Sequence, residues 1–225
     1  MSEVIIFDVN ETLLDIGGLA PRFRDSLGSD ALLAPWFGRT LRNSLIATVT
    51  DRSRRFDELA VDALVATARE GGVEVETARV VSVVEGMRSL PVHHDVPAAL
   101  ERLAGAGLRL ATLTNSAPDV IADQLRNAGL DGYFEASISV DEIGLFKPHR
   151  ATYEHAAARL GTSVAGLRLV AAHDWDVLGA LRAGARAAYV ARNAPITVLG
   201  DEGPDIVGSD VGDVAERIIA LGDEG

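Results

Sequence analysis

Apolar residues fall in short runs that end on polar side chains, and the first run is the most telling. Val4, Ile5, Ile6 and Phe7 form an unbroken apolar stretch that stops on Asp8. A strand apolar on both of its faces is buried between two layers, and in open α/β sheets the ligand crevice lies at the carboxyl ends of such strands. The pattern recurs in LRLATL before Thr114 and Asn115, in SISVDEIGLF before Lys147 and Pro148, and in LRLVAA before His173 to Asp176. Each run precedes a stretch of helical periodicity, so four polar strand ends are expected along one edge of a sheet.

Between the first strand and Pro91 the strand–helix alternation is lost. Residues 20–68 carry helical apolar spacing instead, as in Leu41, Leu45, Val49 and later Phe56, Leu59, Leu64, with Gly28, Gly38 and Gly71–Gly72 as punctuation. From there the spacing predicts helices over 96–105, 117–128, 150–160, 175–183 and 210–221, and strands over 108–113, 134–139, 167–172 and 186–191. Such alternation implies parallel strands joined by right-handed crossovers. The fold class is therefore α/β, a Rossmann-like parallel sheet with a helical insertion. Core segments 1–15 and 91–225 flank an inserted segment, 16–90.

A chain of 225 residues with 48% hydrophobic residues can bury the core this requires. No apolar run approaches the ~18 residues of a membrane span and no basic-plus-apolar leader opens the chain, which points to the cytoplasm. With no cysteine, disulfides, thiol catalysis and thiolate metal sites are excluded. A net charge of −12 argues against nucleic acid or an anionic membrane as partner. It leaves room for a local anion site built from Lys147, Arg39 and backbone amides.

The ordered set of polar strand ends resembles the haloacid dehalogenase (HAD) superfamily: Asp8 with Thr12 is similar to its first motif, Thr114 to its second, Lys147 to its third and the Asp176 region to its fourth. The resemblance implies the HAD fold, with segment 16–90 as a helical cap above the catalytic edge. Trp36, Phe37, Leu45 and Phe56 are then candidate apolar walls, or simply packing residues within the cap. A phosphatase of this superfamily holds magnesium with its nucleophile, a backbone carbonyl two residues on and an acidic residue of the fourth motif, and has a general acid two residues after the nucleophile. Here the acid's position is Asn10, and Ala172 stands where one fourth-motif carboxylate is expected. The same departures are compatible with the metal-free branch resembling type II L-2-haloacid dehalogenases, in which an aspartate displaces halide from the α-carbon and water then opens the ester. LATLTNS, the spacing from Lys147 to Tyr153 and the pair Trp175–Asp176 all resemble that branch. Phe37 occupies the place of its halide-holding arginine, with Arg39 two residues on, and Ala171 and His173 replace its fourth-motif Ser and Asn.

The resemblance implies hydrolytic dehalogenation of a small 2-haloalkanoic acid, with no cofactor and no metal; a small-molecule carboxylate is the expected partner and a homodimer is left open. Asp8 is the expected nucleophile. Lys147 would keep it ionised and bind substrate carboxylate, Thr12 and Thr114 would hydrogen-bond Asp8 or substrate, and Asp176 would orient the hydrolytic water or Lys147. Asn10, Asn115, Arg39, Phe37, Tyr153 and Trp175 complete the expected substrate site. His173 is either the base for the ester-opening water or a packing residue against Trp175. Asp174 reads as a helix cap, and His93, His94, His149 and His155 as surface or packing residues. A phosphatase with an eroded metal site, a C–N hydrolase acting on a cyclic amino acid and a non-catalytic binding module remain as alternatives.

Overall fold

The computed structural model describes residues 3–192 and 203–223. Strand β1 (Val4–Phe7) is buried along its whole length, as its doubly apolar sequence requires. Helices α1 (Ala20–Leu27), α2 (Leu33–Val49), α3 (Phe56–Glu70) and α4 (Thr77–Glu85) follow. The chain then alternates through α5 (Val96–Gly105), β2 (Arg109–Thr114), α6 (Pro118–Asn127), β3 (Ala136–Ser139), α7 (Arg150–Arg159), β4 (Leu167–Ala171), α8 (Asp174–Ala183), β5 (Arg186–Val190), β6 (Ile206–Gly208) and α9 (Val211–Asp223).

The six strands are parallel in the order β3-β2-β1-β4-β5-β6. The chain builds outward from β1 to β3, then crosses back to place β4 on the other side of β1. That reversal opens a crevice at the carboxyl ends of β1 and β4, the switch point of a doubly wound sheet. Asp8 sits at its floor, one residue past β1, with its backbone N–H donating to Val170 O of β4 (3.1 Å). The covering helices turn apolar stripes to the sheet: α5 buries Val96, Ala99, Leu100 and Leu103, spaced for one helical face. Burying one such Val or Leu side chain is worth about 1.5–3 kcal/mol.

In the helical insertion, α2 packs on α3 through Trp36, which is fully buried and donates Nε1–H to Ala60 O at 2.8 Å. Trp36 thus belongs to the insertion's own core, tilted against Phe23 with ring centroids 5.2 Å apart. Leu45, expected as a wall, is 43% exposed. Helical spacing correctly marks one face of α2, but the C-terminal half of that face meets solvent.

Three further differences concern boundaries. The three residues of β6 are too few to carry a periodic signal, and no strand is expected there from the sequence. Lys147 lies eight residues beyond the end of β3, after a short 3₁₀ turn at Val140–Glu142, rather than at a strand end. His173, not Asp174, is the N-cap of α8; Asp174 is the first helical residue, and its Oδ1 accepts from Trp175 N (2.8 Å).

A buried ion pair ties this frame to the loop carrying Asp8. Arg192 donates from Nη1 and Nη2 to the Asp95 carboxylate (3.0 and 2.8 Å) and from Nη2 to Thr12 O (3.0 Å). Asp95 also accepts from Val211 N at 2.8 Å, so one clasp joins the first loop, the starts of α5 and α9 and the end of β5. Among the described residues no helix is long and apolar enough to cross a membrane.

Candidate active site

The loop after β1 doubles back on itself: Leu13 and Leu14 N–H both donate to Val9 O (2.9 and 3.0 Å), and Glu11 N–H donates to Leu14 O at 2.7 Å. Glu11 is in the left-handed region, φ 63°, a conformation that costs a non-glycine residue and is often found at functional sites. This turn brings Thr12 beneath Asp8. Its hydroxyl donates to Asp8 Oδ2 (2.7 Å) and accepts from Ala172 N (2.9 Å), linking the ends of β1 and β4.

Lys147 closes the other side. Its Nζ donates to Asp8 Oδ1 (2.8 Å), Asp176 Oδ2 (2.6 Å) and Leu113 O (2.9 Å), so all three ammonium protons are used. Its backbone N–H donates to Asn115 Oδ1 (3.0 Å), which fixes the approach of the loop and leaves the Asn115 amide nitrogen as a donor for a ligand. The remaining oxygen of Asp176 accepts from the Tyr153 hydroxyl at 2.6 Å. Gly179 makes that approach possible: a Cβ there would lie 2.5 Å from the Tyr153 hydroxyl and 2.4 Å from Pro148 Cβ.

Two carboxylates and one ammonium are buried together, and the electrostatics follow from that count. Burial works to raise the pKa of Asp8, but the charge of Lys147, then of His173, and hydrogen bonds from Lys147 and Thr12 outweigh it and hold Asp8 below the usual aspartate value of 3.8. Lys147 is destabilised as a cation by burial, yet the two carboxylates raise its pKa above 10.5. The surplus negative charge falls on Asp176, whose pKa is raised by burial and by Asp8 although Lys147 opposes both. Burial and the Asp176 carboxylate push the Tyr153 hydroxyl far above its usual range, so it stays a proton donor.

Above this cluster a cavity of about 10 Å³ is lined by Asp8, Asn10, Asn115, His173 and Trp175 from the sheet edge and by Phe37, Leu41 and Phe56 from the insertion. That is room for about one water molecule. His173 stacks on Trp175 with ring centroids 5.1 Å apart, and the Phe37 ring lies tilted against it at 6.2 Å. Its Nε2 lies 3.9 Å from Asp8 Oδ2 and 3.5 Å from Glu11 Oε2. Burial is the main cause that raises the pKa of Glu11.

A family model for haloacid dehalogenase-like hydrolases matches residues 3–184. The chain belongs to this hydrolase family. It is 28% identical to haloacetate dehalogenase H-2 of Moraxella sp. (strain B), over 84% of this chain and 86% of that one. It is 29% identical to the (S)-2-haloacid dehalogenase of Xanthobacter autotrophicus, over 85% of this chain and 76% of that one. The solved structure of L-2-haloacid dehalogenase from X. autotrophicus with chloropropionic acid covalently bound is similar at a TM-score of 0.88 and 27% identity, over 97% of this chain and 98% of that one.

Within this family fold, several expected site residues take other positions. Arg39 is ion-paired with Glu70 and lines a separate surface hollow with Pro35, Gly38 and Arg42, so it is turned away from Asp8. Tyr153 stands behind Asp176, fully buried, rather than on the cavity wall. The Thr114 hydroxyl accepts from Ser116 N (3.1 Å) and so serves the turn after β2. Asn10 does line the cavity, but its amide donates to Ser116 Oγ (3.3 Å) and its Oδ1 accepts from Gln124 Nε2 (2.9 Å). His155, expected as a surface or packing residue, sits 2.9 Å from Glu142 Oε2.

Glu11, Leu41, Ser116, Gln124 and Gly179 are absent from the sequence-based set. Of these only Gln124 leaves a readable signal: a polar residue on the buried stripe of α6, beside Val120, Ile121 and Leu125. The donor set does not fit a divalent cation. Both oxygens of Asp176 and one of Asp8 are occupied by Lys147 and Tyr153, Ala172 offers no side-chain ligand, and among the described residues no group of three or more His, Cys, Asp or Glu could hold a metal ion.

Replacing Lys147 by Met, which keeps the stem but removes the charge, should cost about 3–5 kcal/mol near neutral pH, the usual loss when one partner of a buried ion pair is removed. In the parent, the lowered pKa of Asp8 contributes stability above 3.8 that is lost as pH falls through its folded value. The raised pKa of Lys147 contributes stability below 10.5 that is lost as pH rises through its folded value. Without the ammonium both carboxyls favour the neutral form, so urea unfolding should show the gap between variant and parent narrowing as pH is lowered. A gap independent of pH would mean that Lys147 acts through packing alone.

Proposed function

We propose that this hydrolase removes halide from small 2-haloalkanoic acids through an ester on Asp8, without a metal ion. The observation that carries the reading is the Lys147 ammonium seated between Asp8 and Asp176, which keeps a buried carboxylate ionised and ready to attack carbon. The dehalogenase names of the relatives support the substrate class.

In the first step a carboxylate oxygen of Asp8 bonds to C2 of the substrate while the carbon–halogen bond breaks, its electron pair leaving with the halide. The Asn115 amide is the donor left for the substrate carboxylate, and Lys147, whose three protons are already committed, acts on it through its charge alone. Asp176, held by Tyr153, positions Lys147 rather than water. In the second step water gives a proton to His173 and attacks Cγ of Asp8; the ester oxygen departs with C2, takes the proton, and leaves as a 2-hydroxy acid. Glu11 steadies the imidazolium that forms. The helical insertion acts as the cap, with Phe37, Leu41 and Phe56 limiting the water that reaches the ester.

Asp8→Asn should abolish turnover in a protein that is less stable than the parent but still folded at neutral pH, since the Lys147–Asp176 pair remains. In a single turnover of the parent in heavy-oxygen water, mass spectrometry should find the label in the peptide containing Asp8; label found only in the product would mean that water attacks the substrate itself. Turnover of chloroacetate should be unchanged by EDTA, and a loss restored by magnesium would overturn the metal-free reading.

His173→Ala should still form the ester but open it about 10²–10⁴-fold more slowly, as expected on losing a general base. The adduct on Asp8 should then accumulate after mixing with a halocarboxylate. Parent-rate turnover in this variant would assign His173 to packing on Trp175.

A further inference from the structure

A second cavity, of about 180 Å³, lies against the first. It is a hollow between α3, α4 and the start of α6, partly open to solvent past Val81 and Glu85, and its apolar lining includes Phe56, Val61, Val84, Met87, Ala117 and Val120. Phe56 lines both cavities. So does the Asn10–Ser116 pair in effect: Asn10 faces the cavity above Asp8, Ser116 faces the larger chamber, and a 3.3 Å hydrogen bond joins them. One aromatic ring and one amide–hydroxyl contact therefore form the partition.

We propose that the chamber is an acyl-chain subsite and that Phe56 is the residue setting how long a 2-halocarboxylate the enzyme accepts; this rests on the dehalogenase reading above. The cavity above Asp8, at about 10 Å³, holds about one water, so the carbons of a longer substrate need volume outside it. The chamber is large enough for a short alkyl chain, apolar where a chain would lie, and separated from Asp8 by a side chain that is 2% exposed and held by Phe146 at a centroid distance of 6.0 Å. Hydrophobic pockets discriminate by about 10–200-fold per methylene, so access to this volume is enough to set chain-length preference. Asp57, Glu58, Glu85 and Arg88 also line the chamber, and the three acids disfavour a second carboxylate there. Arg88 there is committed to Asp119 and Asp123, so the chamber suits an uncharged tail rather than a second carboxylate.

The test compares 2-chloropropionate with 2-chlorohexanoate in the parent, in Phe56→Ala and the milder Phe56→Leu, and in Val61→Phe, which fills the chamber from a half-buried position away from Asp8. Opening the partition should raise kcat/KM for the hexanoate relative to the propionate by about tenfold or more. Val61→Phe should lower that ratio while leaving chloroacetate turnover at the parent level. An unchanged ratio in all three variants, with chloroacetate still turned over, would overturn the subsite and leave the dehalogenase reading standing. Calorimetry with hexanoate and acetate separates the two claims when no halocarboxylate is turned over. Hexanoate affinity lost selectively in Val61→Phe would then support the chamber while the dehalogenase reading fell, and affinity unchanged in that variant would overturn the chamber as well.

Discussion

The Lys147 ammonium is the constraint on which the rest of the site depends. It gathers Asp8 after β1, the Leu113 carbonyl of β2 and Asp176 in α8, elements brought together only when the sheet has its full order. Removing three charged groups from water is expensive, and their attraction offsets the cost only if each proton and lone pair finds a partner. Here each ammonium proton and each carboxylate oxygen has one, down to the Tyr153 hydroxyl on the far oxygen of Asp176. The same completeness explains the chemistry: a carboxylate that would otherwise protonate on burial is kept ionised, and the charge imbalance is carried by Asp176, which touches no part of the cavity.

The core was readable from sequence because its signals are redundant. The run Val4–Phe7 ending on Asp8, the spacing of the later strand ends and the helical periods between them all demand one parallel sheet, and the polar ends then share an edge by topology. Asp8, Thr12, Lys147 and Asp176 needed no knowledge of side-chain direction to be placed together. The insertion was harder. Periodicity tells which residues share a face of α2 but not what that face meets, so Leu45 was expected on the wall that Leu41 forms, and Arg39 was expected beside Asp8 when Glu70 holds it outside. Glu11 was invisible for another reason. Only the left-handed turn of its backbone brings a loop carboxylate to His173, and a glutamate carries no signal for that conformation.

The His173 environment shows how the site separates two carboxylate roles. Asp176 was expected to orient either water or Lys147, and its two oxygens are fully taken by Lys147 and Tyr153. Glu11 is the carboxylate nearer the imidazole besides Asp8, and its raised pKa makes proton sharing with His173 less costly than it would be for an ordinary surface glutamate. One acid therefore fixes the Lys147 ammonium beside Asp8, while another faces the His173 imidazole.

A cavity that holds about one water cannot admit a halocarboxylate without movement, so the forces closing the insertion over the sheet matter as much as the catalytic groups. Phe146 N, Gln124 Nε2 and Asn127 Nδ2 donate across the seam to Thr48 Oγ1, Met87 O and Arg88 O. The charged links are ion pairs from Arg55 and Arg88 to Asp119, and from Arg88 to Asp123, on α6. These side chains are 31–52% exposed, and exposed pairs are worth about 0–1 kcal/mol each. The apolar links are stronger: Phe37 and Phe56 are almost wholly buried at the seam, against His173 and Phe146. Closure is therefore held mainly by burial of two aromatic rings, a force that a substrate entering between them can replace with contacts of its own. The weak pairs set orientation without locking the seam, so a site that excludes water when closed can still part to admit a ligand.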